Sequence, residues 1–176
     1  LDLIIKSPGI IPTHPIIQEA EERNIPVISD IEMGYQLEPS GKLIAITGTN
    51  GKTTTTKLVD FILTNANKSS QAVGNIGVGL VEALWQDKQE DYHVIELSSY
   101  QLAHIQSFKP HVAAITNITP DHLDWHGSFE KYRDDKLKIA KNMNIGDFLI
   151  LNYDDPILKD VYSQGVELRY FSISTP

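Results

Sequence analysis

Short runs of aliphatic and β-branched residues recur along the chain, and each is followed by a segment with helical spacing. Residues 43–47 (LIAIT), 93–97 (HVIEL) and 112–116 (VAAIT) are the clearest of these runs. Strands that alternate with helices are typical of a mainly parallel sheet flanked by helices, so we predict an α/β fold. Ligands of such sheets bind beyond the carboxyl ends of the strands, where the candidate functional residues are therefore sought.

The same reasoning places the other elements. Thr13 is the predicted cap of the first helix. The glycines and proline between residues 30 and 41 predict a hinge or linker. A helix is predicted over residues 53–65, with Leu58, Val59, Phe61 and Ile62 as its buried residues. The remaining predicted strands are residues 3–6, 26–29, 71–73, 148–151 and 168–173, and the remaining predicted helices include residues 79–86 and 129–142.

The composition restricts what such a fold can bind. Lys and Arg total 15 against 23 Asp and Glu, which gives a formal charge of −8. A chain this acidic is a poor general binder of nucleic acid or of anionic membranes, so an anion must be held by local features. The sequence contains no cysteine, which excludes disulfides, thiolate nucleophiles and cysteine–zinc sites. We expect a cytoplasmic, monomeric protein without nucleic-acid or membrane partners, since no run resembles a signal peptide or a membrane span.

A glycine-rich loop, residues 48–54 (GTNGKTT), joins a predicted strand to a predicted helix. Such a loop turns its amide groups toward an anion, and the helix N-terminus adds its dipole. Lys52 supplies a charge for the outer phosphates, and the Thr53 hydroxyl can hold Mg²⁺. The general P-loop pattern needs a glycine where Ile46 stands, so a glycine turn with a surface lysine is the alternative. The predicted phosphate-binding residues are Gly48, Thr49, Asn50, Gly51, Lys52, Thr53 and Thr54.

Two other strand ends carry candidate residues. Glu96 ends a predicted strand, where its carboxylate can reach a magnesium ion on the glycine-rich loop, or can cap a helix instead. The segment 116–126 (TNITPDHLDWH) follows another strand and contains two histidines and two aspartates. A solvated polar loop is a plausible alternative for His126 and Asp124, and a weaker one for His122.

Lys136 interrupts the apolar face of a predicted helix. At 100° per residue it falls among Tyr132, Ile139 and Met143, where leucine would be expected. A lysine at such a position can extend its amine to water, which periodicity alone favours. The alternative is a buried lysine whose lowered pKa leaves a neutral amine available for reaction.

Several motifs together resemble the Mur ligase family, which builds the peptide of the bacterial cell wall. The absence of a glycine at position 46 is normal for that family. Within the family, residues 96–102 (ELSSYQL) resemble the branch that adds D-glutamate. The resemblance covers nearly the whole chain and rests on residues 48–54 (GTNGKTT), 74–77 (GNIG), 96–102, 117–124 (NITPDHLD) and 132–137 (YRDDKL).

The resemblance implies an ATP-dependent ligase that joins D-glutamate to UDP-N-acetylmuramoyl-L-alanine through an acyl phosphate. It implies two Mg²⁺ ions, one held by Thr53 and Glu96 and one held by His122 and Lys136. It also implies that Lys136 is carbamylated by CO₂, which makes it an anionic ligand. The implied catalytic residues are Lys52, Glu96, His122 and Lys136, and the implied substrate-binding residues are Ser7, Asn75, Ser98 and His122.

The resemblance also implies a domain organisation. Residues 1–36 would be the end of a Rossmann-like UDP-substrate-binding domain with its linker, and residues 37–176 part of a P-loop-type central ATP-binding domain. The chain begins with Leu1 rather than Met, so we expect a segment of a longer protein. The resemblance implies that this segment lacks the C-terminal amino-acid-binding domain and is inactive alone. The alternatives are a sister ligase or folylpolyglutamate-type ligase with another acceptor, and a non-ligase nucleotide-binding module or kinase.

Overall fold

Two parallel sheets organise the chain in the computed structural model, which describes residues 1–86, 89–162 and 165–174. β1 (Ile4–Lys6) pairs with β2 (Val27–Ser29) in the small sheet. The large sheet has the order β4-β5-β3-β6-β7-β8, and every neighbouring pair is parallel. The predicted α/β class is therefore confirmed. The strands of the large sheet are β3 (Lys42–Thr47), β4 (Ser70–Gly74), β5 (Tyr92–Glu96), β6 (Val112–Ile115), β7 (Phe148–Asn152) and β8 (Glu167–Phe171).

Helices connect the strands, as parallel pairing requires. Within the described ranges, none of them has the length and apolar character needed to cross a bilayer. The first helix is capped by the ring of His14, which accepts a hydrogen bond from the amide of Ile16, so the prediction of Thr13 as the cap is wrong. The helices are α1 (Pro15–Glu22), α2 (Asp30–Gln36), α3 (Lys52–Asn65), α4 (Leu80–Trp85), α5 (Ser99–Leu102), α6 (Leu123–His126) and α7 (Phe129–Leu137), with 3₁₀ turns at Lys138–Ala140 and Leu158–Asp160.

Helix α2 occupies most of the segment that the sequence predicts to be a linker. Ser29 caps it by accepting a hydrogen bond from the amide of Glu32. Glu32 is fully buried, and its carboxylate accepts hydrogen bonds from the amides of Gln106, Ser107 and Phe108. These partners lie more than 70 residues away in sequence, so a local reading of glycine and proline could not find them. Residues 30–36 of the predicted hinge or linker therefore form an ordered helix.

The two faces of the large sheet are covered differently. One face packs against α2, α4, α5 and α7 and forms the main core, which includes Leu43, Ala45 and Ile95. The opposite face packs against α3 over β3, β4 and β5, and leaves an apolar groove of about 660 Å³ beside β6 and β7. This groove is lined by residues that alternate with the core residues along the strands, among them Ile44, Ile46, Val112, Ala114 and Ile150.

The face of helix α3 that packs against the sheet differs from the face that the sequence predicts to be buried. Thr56 is buried and Val59 is half-buried, while the side chains predicted to be buried beside it lie largely in solvent. The rotation of the helix is set by the glycine-rich loop that enters it, and this loop directs Thr56 and Val59 inward. The prediction is wrong for three residues, whose exposed fractions are 54% for Leu58, 65% for Phe61 and 56% for Ile62.

Helix α7 is shorter than the predicted segment 129–142. Its α-helical part ends at Leu137 and continues as the 3₁₀ turn Lys138–Ala140. The inward face is nevertheless the predicted one, since Tyr132, Lys136 and Ile139 are all buried.

Candidate functional site

The carboxyl ends of three adjacent strands meet at one edge of the large sheet. β3 lies between β5 and β6, and its residue Ile46 pairs with Glu96 on one side and with Ala114 on the other. From β3 the chain runs outward to β4 and back to β5 on one side, and it then crosses over to β6 on the other side of β3. The direction of the connections thus reverses beside β3, and ligands commonly bind at such points. The loops that begin at Gly48, Leu97 and Thr116 therefore emerge together.

The glycine-rich loop depends on two glycines with positive φ angles. Gly48 has a φ of 148°, and a β-carbon there would overlap the hydroxyl of Thr116. Gly51 has a φ of 85° and is the N-cap of α3, where it provides no side chain to cap the first turn. The first-turn amides of α3, which include those of Thr53 and Thr54, are therefore available to an external acceptor.

Asn117 braces this loop from the end of β6. Its amide oxygen accepts a hydrogen bond from the backbone amide of Asn50, and its amide nitrogen donates to the carbonyl of Asn50, both at 2.9 Å. The amide of Thr49 donates to the carbonyl of Asn117, also at 2.9 Å. This role of Asn117 was not predicted from the sequence, although an asparagine that follows a strand end is well placed to hydrogen-bond to a neighbouring loop.

Lys52 and Lys136 converge on one carbonyl oxygen of the loop. The Nζ atom of Lys52 donates to the carbonyl of Gly48 at 3.0 Å, and the Nζ atom of Lys136 donates to the same carbonyl at 2.8 Å. Only 2% of Lys136 is exposed, so its amine does not extend to water. Burial, reinforced by the charge of Lys52, lowers the pKa of Lys136 to about 7, although Asp121 acts in the opposite direction.

Glu96 is fixed beside the loop with half of its carboxylate unpaired. One oxygen accepts a hydrogen bond from the side-chain amide of Asn75 at 2.9 Å. The other oxygen, Oε2, is buried without a hydrogen-bond partner among the described residues. A buried carboxylate oxygen in this state is costly unless water or a cation completes its coordination.

His122 lies on the solvent side of the same region. It has a φ of 52°, about half of its side chain is exposed, and its ring lies 3.4 Å from Asp121. It also packs near the ring of Tyr132, whose hydroxyl lies 2.9 Å from the hydroxyl of Thr49. His122 is thus connected to the glycine-rich loop through Tyr132.

The two predicted serines are placed differently. Ser98 is buried and its hydroxyl takes part in the cap of α5, where it accepts from the amide of Gln101 and donates to its side chain. Ser7 is exposed in the loop after β1. The adjoining Lys6 places its amine 5.0 Å from the ring centre of Trp125, which brings the small sheet close to α6.

His126 is buried, so its interpretation as part of a solvated polar loop is wrong. Its ring lies between Asp135, which is 9 residues away in sequence, and Ser99, which is 27 residues away. Both partners lie outside the local segment, so its polar composition did not indicate this burial. Asp124, for which the same interpretation was offered, is exposed.

The site at the strand ends offers individual candidate ligands for a cation rather than a preformed cluster of ligands. Within the described part of the chain, no group of three or more His, Asp or Glu side chains is arranged to hold a metal ion. The unpaired oxygen of Glu96 fits a hard cation such as Mg²⁺, which prefers carboxylate oxygen. The amine of Lys136 does not fit as a ligand while it is protonated, because it is itself a cation.

A family profile described as the Mur ligase middle domain matches residues 46–176. Curated relatives with the name UDP-N-acetylmuramoylalanine–D-glutamate ligase are similar to this chain over most of its length. The protein of Streptococcus mutans serotype c is 45% identical over 161 residues, which are 92% of this chain and 36% of that protein. The protein of Alkaliphilus oremlandii is 44% identical over 179 aligned positions, covering 99% of this chain and 38% of that protein. The chain thus spans little more than a third of these relatives.

Solved structures share the fold at lower sequence identity. The MurF ligase of Thermotoga maritima in complex with ADP aligns with a TM-score of 0.65 at 23% identity, over 97% of this chain and 46% of that one. The UDP-N-acetylmuramate:L-alanyl-γ-D-glutamyl-meso-diaminopimelate ligase of Neisseria meningitides aligns with a TM-score of 0.67 at 17% identity, over 99% of this chain and 59% of that one.

Proposed function

The chain belongs to the Mur ligase family, and we propose that it is the ATP-binding part of a ligase that joins D-glutamate to UDP-N-acetylmuramoyl-L-alanine. The names of relatives that are 41–45% identical support this acceptor. The resemblance of residues 96–102 to the D-glutamate-adding branch supports it independently.

The observation that carries the proposal is the convergence of Lys52 and Lys136 at the Gly48 carbonyl. Two amines this close repel each other when both are protonated, and the uncapped start of α3 adds further positive potential. A polyanion such as the triphosphate of ATP satisfies Lys52 and the start of α3 together, and carbamylation of Lys136 would remove the repulsion between the two amines. This explains how a chain with a net charge of −8 can bind ATP locally.

The proposed reaction has two steps. A carboxylate oxygen of UDP-N-acetylmuramoyl-L-alanine attacks the γ-phosphorus of ATP, the bond to the β-phosphate oxygen breaks, and an acyl phosphate and ADP form. The amine of D-glutamate then attacks the acyl carbon, the carbon–oxygen bond to phosphate breaks, and the ammonium loses a proton. Lys52 is placed to offset the negative charge on the phosphates during the first step.

Metal ions have a place in this proposal. Thr53 and Glu96 would hold one Mg²⁺, and His122 with carbamylated Lys136 would hold another. Bound Mg²⁺ would neutralise the phosphates and the acyl group. The lowered pKa of Lys136, about 7, supports carbamylation, because the neutral amine is the form whose lone pair adds to CO₂ with loss of a proton.

The remaining residues would orient the muramoyl-alanine substrate. Asn75 and His122 lie at the rim near Glu96 and Tyr132, and are proposed to contact the end that carries the carboxylate. Ser98 is proposed to contribute beside them, although its hydroxyl is shared with the cap of α5. Ser7 is proposed to contact the UDP portion.

The separation into two sheets supports the proposed domains. Residues 1–36, which contain β1 and β2, would be the end of the UDP-substrate-binding domain with its linker. Residues 37–176 would form part of the central ATP-binding domain. The D-glutamate-binding domain would come from the remaining length of the protein, as the relatives are far longer than this chain.

The test is an acceptor screen on the full-length protein. ADP and free phosphate are measured with UDP-N-acetylmuramoyl-L-alanine and one candidate amine at a time, including D-glutamate, L-glutamate and diaminopimelate. We expect equal amounts of ADP and phosphate only with D-glutamate. Release with another acceptor would identify a sister ligase or a folylpolyglutamate-type ligase instead. Formation of ADP without free phosphate would identify a kinase. If neither ADP nor phosphate is released with any acceptor, the protein would be a nucleotide-binding module without ligase activity.

A further inference from the structure

The proposed reaction gives no role to a buried series of hydrogen-bonded side chains, which consists of Ser99, His126 and Asp135. The Nε2 atom of His126 lies 3.0 Å from the hydroxyl of Ser99, and its Nδ1 atom lies 2.8 Å from a carboxylate oxygen of Asp135. The side chains of His126 and Asp135 are fully buried, and Ser99 is only 2% exposed. An ionised carboxylate can only accept hydrogen bonds, so beside ionised Asp135 the Nδ1 atom of the neutral ring carries the proton and Nε2 accepts from the serine.

The serine, histidine and aspartate have the order of a hydrolytic triad, but their surroundings exclude that activity. A nucleophilic serine must reach a substrate, and Ser99 is enclosed. The second oxygen of Asp135 accepts from Lys138 at 2.7 Å, and Lys138 also donates to the carbonyl of Ala103 at 3.1 Å. Asp135, the last member of the hydrogen-bonded series, therefore also forms a salt bridge with Lys138.

Aromatic side chains hold the ring of His126 in one orientation. The ring of Tyr100 is stacked on it with centres 5.7 Å apart, and Tyr132 meets it edge-on with centres 5.2 Å apart. Trp125 packs against it with centres 4.5 Å apart. A ring confined in this way transmits the position of one hydrogen-bond partner to the other.

The two partners belong to the two elements that carry the proposed metal ligands. Ser99 is the first residue of α5 and lies three positions after Glu96. Asp135 lies on α7 directly before Lys136. Lys136 and Tyr132 also join α7 to the glycine-rich loop, through the carbonyl of Gly48 and the hydroxyl of Thr49.

We propose that His126 is a positioning residue which, through Ser99 and Asp135, fixes the helix that carries Lys136 against the strand end that carries Glu96. The proposal rests on the proposed function, since that function makes Glu96 and Lys136 the ligands whose separation matters. Groups that orient metal ligands without touching the metal change metal affinity by about 10- to 100-fold when they are removed.

Two variants of the full-length protein test the proposal. His126→Phe keeps an aromatic ring within the packing of Tyr100 and Tyr132 but removes both hydrogen bonds. Ser99→Ala removes only the hydroxyl. Ser107→Ala is the matched control, because its hydroxyl also donates to a buried carboxylate, that of Glu32, far from the site. The affinity for Mn²⁺ is measured by electron paramagnetic resonance in the presence of ADP, together with turnover and the melting temperature.

We expect His126→Phe to raise the Kd for Mn²⁺ by about tenfold or more and to lower kcat by a similar factor. Ser99→Ala should have the same effects in smaller measure, and the double variant should lose no more than His126→Phe alone because both act through one chain of hydrogen bonds. Ser107→Ala should lower only the melting temperature.

An unchanged Mn²⁺ affinity in folded His126→Phe would overturn the positioning role, whatever happens to stability or turnover. Additive losses in the double variant would overturn the coupling through His126. The Mn²⁺ measurement does not require turnover, so it remains decisive even if the acceptor screen on the unmodified protein rejects D-glutamate ligation.

Discussion

At the scale of single residues, Lys136 has the most unusual environment in the site. Its amine lies in a buried position, donates to the Gly48 carbonyl, and has a pKa of about 7 because of burial and the neighbouring charge of Lys52. A lysine held in this way is partly neutral at physiological pH, which suits it to covalent modification rather than to simple charge pairing.

We predict that Lys136→Ala lowers turnover of the full-length protein by about 10²–10³-fold, because it removes the carbamate ligand that we propose for the reaction centre. Short carboxylic acids added to this variant should partly restore activity by taking the place of the missing carbamate. Lys136→Arg should be equally inactive, since it keeps the positive charge but does not form a carbamate. Activity in Lys136→Arg would show that the charge alone suffices.

The carbamate itself is open to a direct measurement. We expect ¹³C-labelled bicarbonate to produce a carbamate resonance in the NMR spectrum that is absent from Lys136→Arg. Lys141→Ala, which changes an exposed lysine shortly after α7, should keep both this resonance and full turnover.

Lys52 gives a second prediction at this scale. Lys52→Ala should weaken ADP binding by about tenfold or more, measured by calorimetry, because it removes a charge that the loop directs toward the phosphates. Lys57→Ala is the control, because Lys57 lies on the exposed side of the same helix. Equal affinities for the two variants would refute the assignment of the loop.

At the scale of secondary-structure elements, the buried carboxylate of Glu32 anchors α2 to the loop between α5 and β6. Burial by itself would raise the pKa of Glu32, but hydrogen bonds from Ser107, Gln106 and Gln36 outweigh it and lower the pKa. A carboxylate that only accepts hydrogen bonds suits a cluster that only donates them.

We therefore predict that Glu32→Gln lowers the free energy of unfolding by about 2–3 kcal/mol at neutral pH, as measured by urea denaturation. The glutamine would direct its own N–H groups at backbone N–H groups. Glu22→Gln, an exposed change on α1, should leave the unfolding free energy nearly unchanged. Because the folded-state pKa of Glu32 is lowered, its stabilising effect is present above its ordinary pKa and is lost as the pH falls through the folded value.

At the scale of the whole molecule, the half-buried His104 and the buried His93 couple stability to pH. Burial and the charges of Lys6 and Lys138 lower the pKa of His104 to about 4. Burial also lowers the pKa of His93, although the charge of Glu90 and the backbone of Ser40 act in the opposite direction. The unfolded chain binds these protons near pH 6.5, whereas the folded chain does not.

The chain should consequently lose stability as the pH falls from about 6.5 toward 4, since the unfolded state binds more protons over that interval. We predict that His104→Asn flattens this part of the curve of melting temperature against pH. His14→Asn, a change of an exposed histidine to another good capping residue, should retain the full slope. A wild-type slope in His104→Asn would contradict the assignment.

The sequence by itself determined the alternation of strands and helices, the strand–loop–helix context of residues 48–54 and the inward position of Lys136 on its helix. These features depend on periodicity and on residues close together in the chain. The proximity of Glu96 to the glycine-rich loop also followed from the rule that parallel strands end at the same edge of a sheet.

Only the tertiary structure decided that residues 30–36 form a helix, that Phe61 faces solvent and that His126 is buried. The ordering of α2 and the burial of His126 depend on partners far away in sequence, namely the amides of residues 106–108 that meet Glu32 and the hydroxyl of Ser99 that meets His126. The exposure of Phe61 depends on which face of α3 packs against the sheet. Burial is a property of two surfaces that meet, and a pattern within one segment records only one of them.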